Sequence, residues 1–206
     1  SGSSLNGTNI YAYNLPSTFQ SSTVRARSVE AYTVAAADVN SDGLADVIVG
    51  SPDMQFTTSD VAVINSALPT QALYLYNDPN VNAPSNPSQN YTSAIAFVAG
   101  GDLTGDGRAE VVFSRQDPNT AGTALVRVYD PATTALVTQT NPFAPFIGQV
   151  RMGVQDANGD GRGDLIFGAG PGGGPRFTIR DYLSPSTVYL DQLAPWGSFT
   201  GGVYVG

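Results

Sequence analysis

The chain has 206 residues, 41% of them hydrophobic, which is enough apolar material to bury a core. Seventeen acidic residues against nine basic ones, with no histidine, give a formal net charge of −8. Nucleic acids and anionic membranes bind basic surfaces, so we expect neither as a partner and expect cations instead. The absence of cysteine excludes disulfides, thiol catalysis and zinc–thiolate sites, and no apolar run reaches the eighteen residues of a membrane helix.

The predicted elements are short apolar strands separated by turns. In chain order they cover 10–13, 34–37, 47–49, 73–76, 94–98, 111–113, 125–129, 136–138, 150–154, 165–167, 177–180, 188–190 and 202–205. Residues 55–69 are predicted to be a surface excursion, because they are rich in Thr, Ser and Asp. The chain contains 23 glycines and 14 prolines and no window with sustained helical spacing, so the predicted fold class is all-β.

The strands recur in units of about fifty residues, four strands to a unit, which is the size of a β-propeller blade. We therefore predict that residues 1–206 form a single propeller, or a segment of one, with four-stranded antiparallel blades. The predicted divisions are a partial blade at 5–28, blades at 29–78, 91–140 and 146–191, and the first strand of a closing or next blade at 197–206. An aromatic-proline turn ends two units, with Phe146 and Trp196 as the expected equivalents.

Three acidic segments lie between the first two predicted strands of successive blades and share one spacing. Oxygen-bearing side chains occupy positions one, three and five, glycine position six and a carboxylate position nine, while position seven offers its backbone carbonyl. The candidate ligands are Asp38, Asn40, Asp42, Leu44 and Asp46 in the first, Asp102, Thr104, Asp106, Arg108 and Glu110 in the second, and Asp156, Asn158, Asp160, Arg162 and Asp164 in the third. Calcium takes six to eight such oxygens, and glycine permits the tight turn that brings them together.

A solvated turn is the ordinary interpretation of a single Asp-Gly segment. Three copies favour a cation, because each loop otherwise crowds three like charges. We therefore predict about three Ca²⁺ per chain, which would reduce the net charge from −8 to −2. Thr104 and Glu110 depart from the pattern, so the second loop is predicted to be the weakest site. An EF-hand is disfavoured, because apolar residues stand at position twelve where a bidentate Glu is required.

These loops resemble the calcium loops of FG-GAP repeats, also described as VCBS-type or integrin-alpha-like propeller repeats. The resemblance covers roughly residues 30–181 and is closest at 156–181. It implies a calcium-stabilised β-propeller, usually extracellular or on the cell surface and here of a bacterial type, in which calcium is mainly structural. It also implies that binding surfaces lie on loops at one face.

The predicted function is that of a non-catalytic module for binding, adhesion or assembly, since no serine or threonine has a visible base partner and the paired carboxylates are assigned to calcium. The ligand, protein or glycan, is not specified by the sequence. Three alternatives stay open at this point: a lectin-like glycan-binding propeller, the non-catalytic propeller part of a secreted polysaccharide-degrading enzyme, and a homo-oligomer whose open edges pair between chains. The sequence also fits a piece of a longer chain.

Overall fold

The computed structural model of the chain describes residues 33–50, 61–68, 72–76, 97–116, 124–184, 187–193 and 197–206. Its strands, in chain order, are β1 (Thr33–Ala37), β2 (Asp46–Gly50), β3 (Val61–Ile64), β4 (Ala72–Tyr76), β5 (Phe97–Gly101), β6 (Glu110–Gln116), β7 (Ala124–Tyr129), β8 (Leu136–Thr140), β9 (Val150–Gln155), β10 (Asp164–Ala169), β11 (Arg176–Arg180) and β12 (Val188–Leu193). The predicted strand at 10–13 lies outside the described residues.

The strands form three four-stranded antiparallel sheets, each of four consecutive strands paired in sequence order. We call them sheet 1 (β1–β4), sheet 2 (β5–β8) and sheet 3 (β9–β12). The described residues contain no α-helix, and among them no helix is long and apolar enough to span a membrane. The predicted all-β class and four-stranded antiparallel units are therefore confirmed. Closure of the sheets into a ring stays a prediction.

The prediction for the later part of sheet 1 was wrong in one respect. The run Val61–Ile64, which was placed in a surface excursion, is the third strand and is buried throughout, and the strand at 72–76 is therefore the fourth. This short apolar run has no alternation of polar residues, because both of its faces are covered. A strand that is covered on both faces lacks the period-two alternation of polar and apolar residues from which the third strands were predicted.

The core lies between successive sheets. β5, the first strand of sheet 2, packs against β1 on one side and β9 on the other. Side chains of β6 alternate between the two contacts: Val111 and Phe113 belong to the cluster shared with sheet 1, and Val112 to the cluster shared with sheet 3. The inner strands of sheet 2 are thus buried on both faces, as expected of a blade with a neighbour on each side, while its last strand, β8, is mainly exposed.

The C-terminal residues repeat the opening of sheet 3. Residues 199–206 match residues 146–153 in sequence when the chain is shifted by 53 positions. In both segments a Cβ added at the glycine, Gly148 or Gly201, would collide with the ring of the phenylalanine two residues before it. Val203 donates its N–H to the carbonyl of Ala169 at 2.8 Å, which docks this segment on sheet 3. In this register the equivalent of Phe146 is Phe199. Trp196, the equivalent predicted from the sequence, lies outside the described residues.

A second contact supports this register. Ser114, four residues after Glu110, donates its hydroxyl to the carbonyl of Val150 at 2.6 Å. Gly168 stands four residues after Asp164, and a Cβ there would lie 2.5 Å from the carbonyl oxygen of Val203. Segment 199–206 thus lies on sheet 3 as the opening of β9 lies on sheet 2. Residues 197–206 contain no β-strand, however, so the first strand of a further unit stays a prediction.

Candidate metal loops

Each acidic segment connects the first and second strands of its sheet, as predicted. We call them loop 1 (38–46), loop 2 (102–110) and loop 3 (156–164). All three have the same backbone conformation, with positive φ at positions four and six. The six angles are 61° at Ser41, 84° at Gly43, 79° at Gly105, 85° at Gly107, 81° at Gly159 and 86° at Gly161. Glycine adopts this conformation without steric cost, which explains its presence at position six.

The carboxylate at position one holds the turn of each loop. Asp38 accepts hydrogen bonds from the backbone N–H groups of Asp42 at 3.2 Å and Gly43 at 2.9 Å. The same two bonds recur in the other loops: Asp106 and Gly107 donate to Asp102, and Asp160 and Gly161 donate to Asp156. Three independent segments therefore adopt one hydrogen-bonded turn, and the amides point at the carboxylate from inside the loop.

The carboxylate at position nine is buried. Asp46, Glu110 and Asp164 are 0%, 3% and 2% exposed. Each accepts the backbone N–H of position two, at distances of 3.2 Å from Val39, 2.7 Å from Leu103 and 2.9 Å from Ala157. These bonds close each loop across its base, where β-strand pairing ends.

Burial raises the pKa of Asp46 and of Glu110 above the ordinary carboxyl range. The carboxylates at positions one and five of the same loop raise both pKa values further, while the backbone hydrogen bonds oppose the shift. Loops 1 and 2 therefore hold buried negative charge next to like charge, and a bound cation would relieve that repulsion.

Positions three and five form the exposed end of each loop. Asn40 accepts the N–H of Asp42 at 2.9 Å and donates its own amide to the carboxylate of Asp42 at 2.9 Å. Asn158 in loop 3 makes the same two contacts with Asp160 at 2.8 and 3.2 Å. Loop 2 differs, because the hydroxyl of Thr104 donates to the position-nine carboxylate at 3.4 Å. This difference follows the sequence departure that predicted loop 2 as the weakest site.

Position seven donates its backbone N–H to the position-five carboxylate at 2.9 Å in all three loops. The side chains there differ: Leu44 is 51% exposed, whereas the guanidinium of Arg162 forms an ion pair of 2.9 Å with Asp160. That contact and the hydrogen bonds from Arg162 and Asn158 lower the pKa of Asp160.

Consecutive loops are joined by a repeated backbone hydrogen bond. Ala109, at position eight of loop 2, donates to the carbonyl of Asp38 at 2.8 Å, and Gly163 of loop 3 donates to the carbonyl of Asp102 at 2.7 Å. Position eight of one loop thus binds position one of the preceding loop. This bond lines the loops up along one end of the stacked sheets.

The side chains of the loops suit a hard cation by chemistry, because all of them at positions one, three, five and nine offer oxygen. Within the part of the chain that the structure describes, however, no three acidic side chains form a group that could hold a metal ion. Backbone amides engage the carboxylates instead. The fifteen predicted ligands therefore stay predictions, although each loop contains them in the predicted order.

Two residues at the loops were not found from the sequence. Ser66 donates its N–H to Asp46 at 3.0 Å and its hydroxyl to the carbonyl of Ala45. The hydroxyl of Tyr189 accepts the side-chain amide of Asn158 at 2.8 Å. Ser66 follows the unrecognised strand β3, and Tyr189 lies 31 residues from Asn158, so neither is visible in the local spacing of a loop.

Comparison with known proteins identifies the repeat. A search of curated proteins finds no match. Among solved structures, the chain is similar to the exotype rhamnogalacturonan lyase YesX, at 11% identity and a TM-score of 0.39; the match covers 79% of this chain and 40% of that one. The model of the FG-GAP repeat matches residues 31–64, which contain β1, loop 1, β2 and β3. The resemblance predicted from the acidic loops is therefore confirmed by an FG-GAP repeat at residues 31–64.

Proposed function

We propose that the chain is a non-catalytic, calcium-stabilised β-propeller module that binds one Ca²⁺ in each acidic loop, three in all. The observation that carries this proposal is that loops 1, 2 and 3 have one backbone conformation and bury a carboxylate at position nine. Acidic side chains in ordinary solvated turns are exposed, so burial of an acid at the same position in three loops favours a cation site.

The residues that would hold each ion are the oxygens at positions one, three, five and nine, together with the backbone carbonyl of position seven. The cation supplies positive charge to carboxylates that are otherwise crowded together. This chain's own residues set the turn: position six gives the left-handed bend, and position nine anchors the loop to the second strand of its sheet. Because such a site does not exist in the unfolded chain, cation binding and folding are linked.

We place the module outside the cell, as a secreted or surface part of a bacterial protein, by analogy with the repeat that it contains. Its role there is to bind a protein or glycan, or to assemble with other blades. The acidic charge of −8 and the absence of lysine support neither nucleic acid nor anionic lipid as the partner. FG-GAP repeats suggest a propeller-type scaffold, which supports the non-catalytic part of the proposal.

Native mass spectrometry from a calcium-containing buffer tests the proposal, since one spectrum counts both ions and chains. We expect three calcium ions per chain, and the same protein passed through chelator should lose them. The alternative of calcium-independent turns would be supported by a spectrum without retained calcium together with an unchanged melting temperature in chelator. A Mg²⁺ spectrum at equal concentration serves as the control for nonspecific adducts.

A further inference from the structure

Loop 3 contains a positively charged side chain, Arg162, that pairs with one of the loop's own carboxylates. The guanidinium nitrogen Nη2 of Arg162 lies 2.9 Å from Oδ2 of Asp160, and the two side chains are 40% and 35% exposed. A second salt bridge among the described residues joins Arg176 and Asp191, outside the acidic loops. Loop 3 is thus the one acidic loop in which a described ion pair occupies the position-five carboxylate.

Loops 1 and 2 provide the contrast. Loop 1 has the same Asn and Asp at positions three and five and the same hydrogen bonds between them, but position seven is Leu44. Loop 2 has Arg108 at position seven, and its described contact with Asp106 is the backbone N–H bond rather than an ion pair. Arginine at position seven is therefore not sufficient for the pair.

A guanidinium and a metal ion need the same acceptor. Oδ2 of Asp160 receives both the Arg162 guanidinium at 2.9 Å and the Asn158 amide at 3.2 Å. The Asn158 amide in turn donates to the hydroxyl of Tyr189 at 2.8 Å. A cation that coordinates Asp160 through Oδ2 competes with both donors for that oxygen, and of the two Arg162 is the one that also repels the cation by its charge.

We propose that Arg162 is an internal competitor for the cation in loop 3: it occupies the position-five carboxylate when the loop is cation-free and leaves that carboxylate when the cation binds. This inference rests on the proposed calcium function and adds to it a residue that sets affinity at one site. It makes loop 3 weaker than its complete set of oxygen ligands implies.

Terbium luminescence tests this directly, because Tb³⁺ is a hard cation with calcium-like oxygen preference and is excited through nearby tyrosine. Tyr189 is hydrogen-bonded to position three of loop 3, so the emission that disappears in Tyr189→Phe reports that loop. Titrating Ca²⁺ against this emission gives the affinity of loop 3, in the whole chain and without any activity assay.

The test variant is Arg162→Leu, which gives loop 3 the position-seven residue of loop 1. The matched control is Arg108→Leu, which removes the same charge from the same position of loop 2, where the described contacts include no such pair. Since an exposed ion pair of this kind is weak, we expect Arg162→Leu to tighten Ca²⁺ binding in loop 3 by roughly 1.5- to 5-fold. Arg108→Leu should leave the affinity of loop 3 unchanged.

The outcomes separate the two proposals. Tighter binding in Arg162→Leu alone supports the competitor. Equal Ca²⁺ affinity in Arg162→Leu and the unmodified chain, or weaker binding in the variant, overturns the competitor while leaving the calcium function intact. An equal gain in both variants also overturns it, because the effect would then be general charge. Absence of Tyr189-dependent emission, with no calcium retained in native mass spectra, would overturn the calcium proposal itself.

Discussion

The base and the tip of each acidic loop differ in burial and in the residues that they contact. The base, at positions one, two, eight and nine, contains the buried position-nine carboxylate, which accepts a backbone N–H, and it joins each loop to its neighbour. The tip, at positions three to seven, is mainly exposed, and most of its hydrogen bonds stay within its own loop. Two reach further: Ser41 donates to the carbonyl of Gly107 in loop 2, and Asn158 donates to the hydroxyl of Tyr189. We therefore expect the base to fold with the sheets and the tip to depend on a bound cation.

The largest expected effect lies in the core beneath the bases. Phe167 of β10 is fully buried in the cluster between sheets 2 and 3. Phe167→Ala should reduce the free energy of unfolding by about 3–5 kcal/mol, because the truncated side chain leaves a cavity. Chemical denaturation should give the same loss in calcium and in chelator. A loss seen in calcium alone would mean that the core forms only around the cation, and would break the distinction between base and tip.

The next largest effect is expected from removing the buried carboxylate at position nine, at the base of a loop. Asp46→Ala leaves the buried N–H of Val39 and the N–H of Ser66 without their acceptor. We expect a loss of about 1–3 kcal/mol in chelator, from the unsatisfied donors, and a larger loss in calcium, where the cation site is removed as well. Denaturant midpoints in both conditions measure it. An unchanged midpoint in chelator would show that the base is not part of the fold.

Removal of a tip carboxylate should matter only when calcium is present. Asp42 is exposed and bonds within its own turn, so Asp42→Ala should change the chelator midpoint by less than about 0.5 kcal/mol. In calcium at one hundred times the dissociation constant, loss of one site should cost about 2.7 kcal/mol. Asp46→Ala is the matched comparison for Asp42→Ala, because both substitutions remove a carboxylate from loop 1. Equal losses in the two conditions would contradict the cation-dependent tip.

The smallest effect concerns the tip of loop 2. Thr104 stands where loops 1 and 3 have asparagine, and its hydroxyl contacts Glu110 rather than position five. Thr104→Asn restores the common pattern and should strengthen calcium binding in loop 2 by a few-fold, since a carbonyl oxygen is a better calcium ligand than a hydroxyl. Calorimetric titration resolves this change. Unaltered or weaker binding would show that position three does not limit loop 2.

Much of this organisation follows from local sequence. The spacing of oxygen-bearing residues around Gly43, Gly107 and Gly161 predicted where the loops lie, and the apolar stretches beside them predicted the first two strands of each sheet. These features depend on neighbours within about ten residues, which is why one sequence suffices to find them.

The features that sequence reasoning missed depend on contacts made in the folded chain. Val61–Ile64 has no alternation because sheet packing buries both of its faces. Ser66 reaches Asp46 across the pairing of β2 with β3, and Tyr189 reaches Asn158 across sheet 3. Loops 2 and 3 have the same residue types at positions five and seven, yet the ion pair is described in loop 3 alone, between Arg162 and Asp160. Spacing alone does not distinguish these cases.

The most direct test of the central claim is thermal unfolding of the unmodified chain at a series of free calcium concentrations, with chelator as the zero point. If each loop binds one ion in the folded state only, the melting temperature rises continuously with calcium, and every tenfold increase above the dissociation constant adds about 1.4 kcal/mol per site. A melting temperature that is the same in chelator and in millimolar calcium would contradict the account, and the three loops would then be ordinary turns.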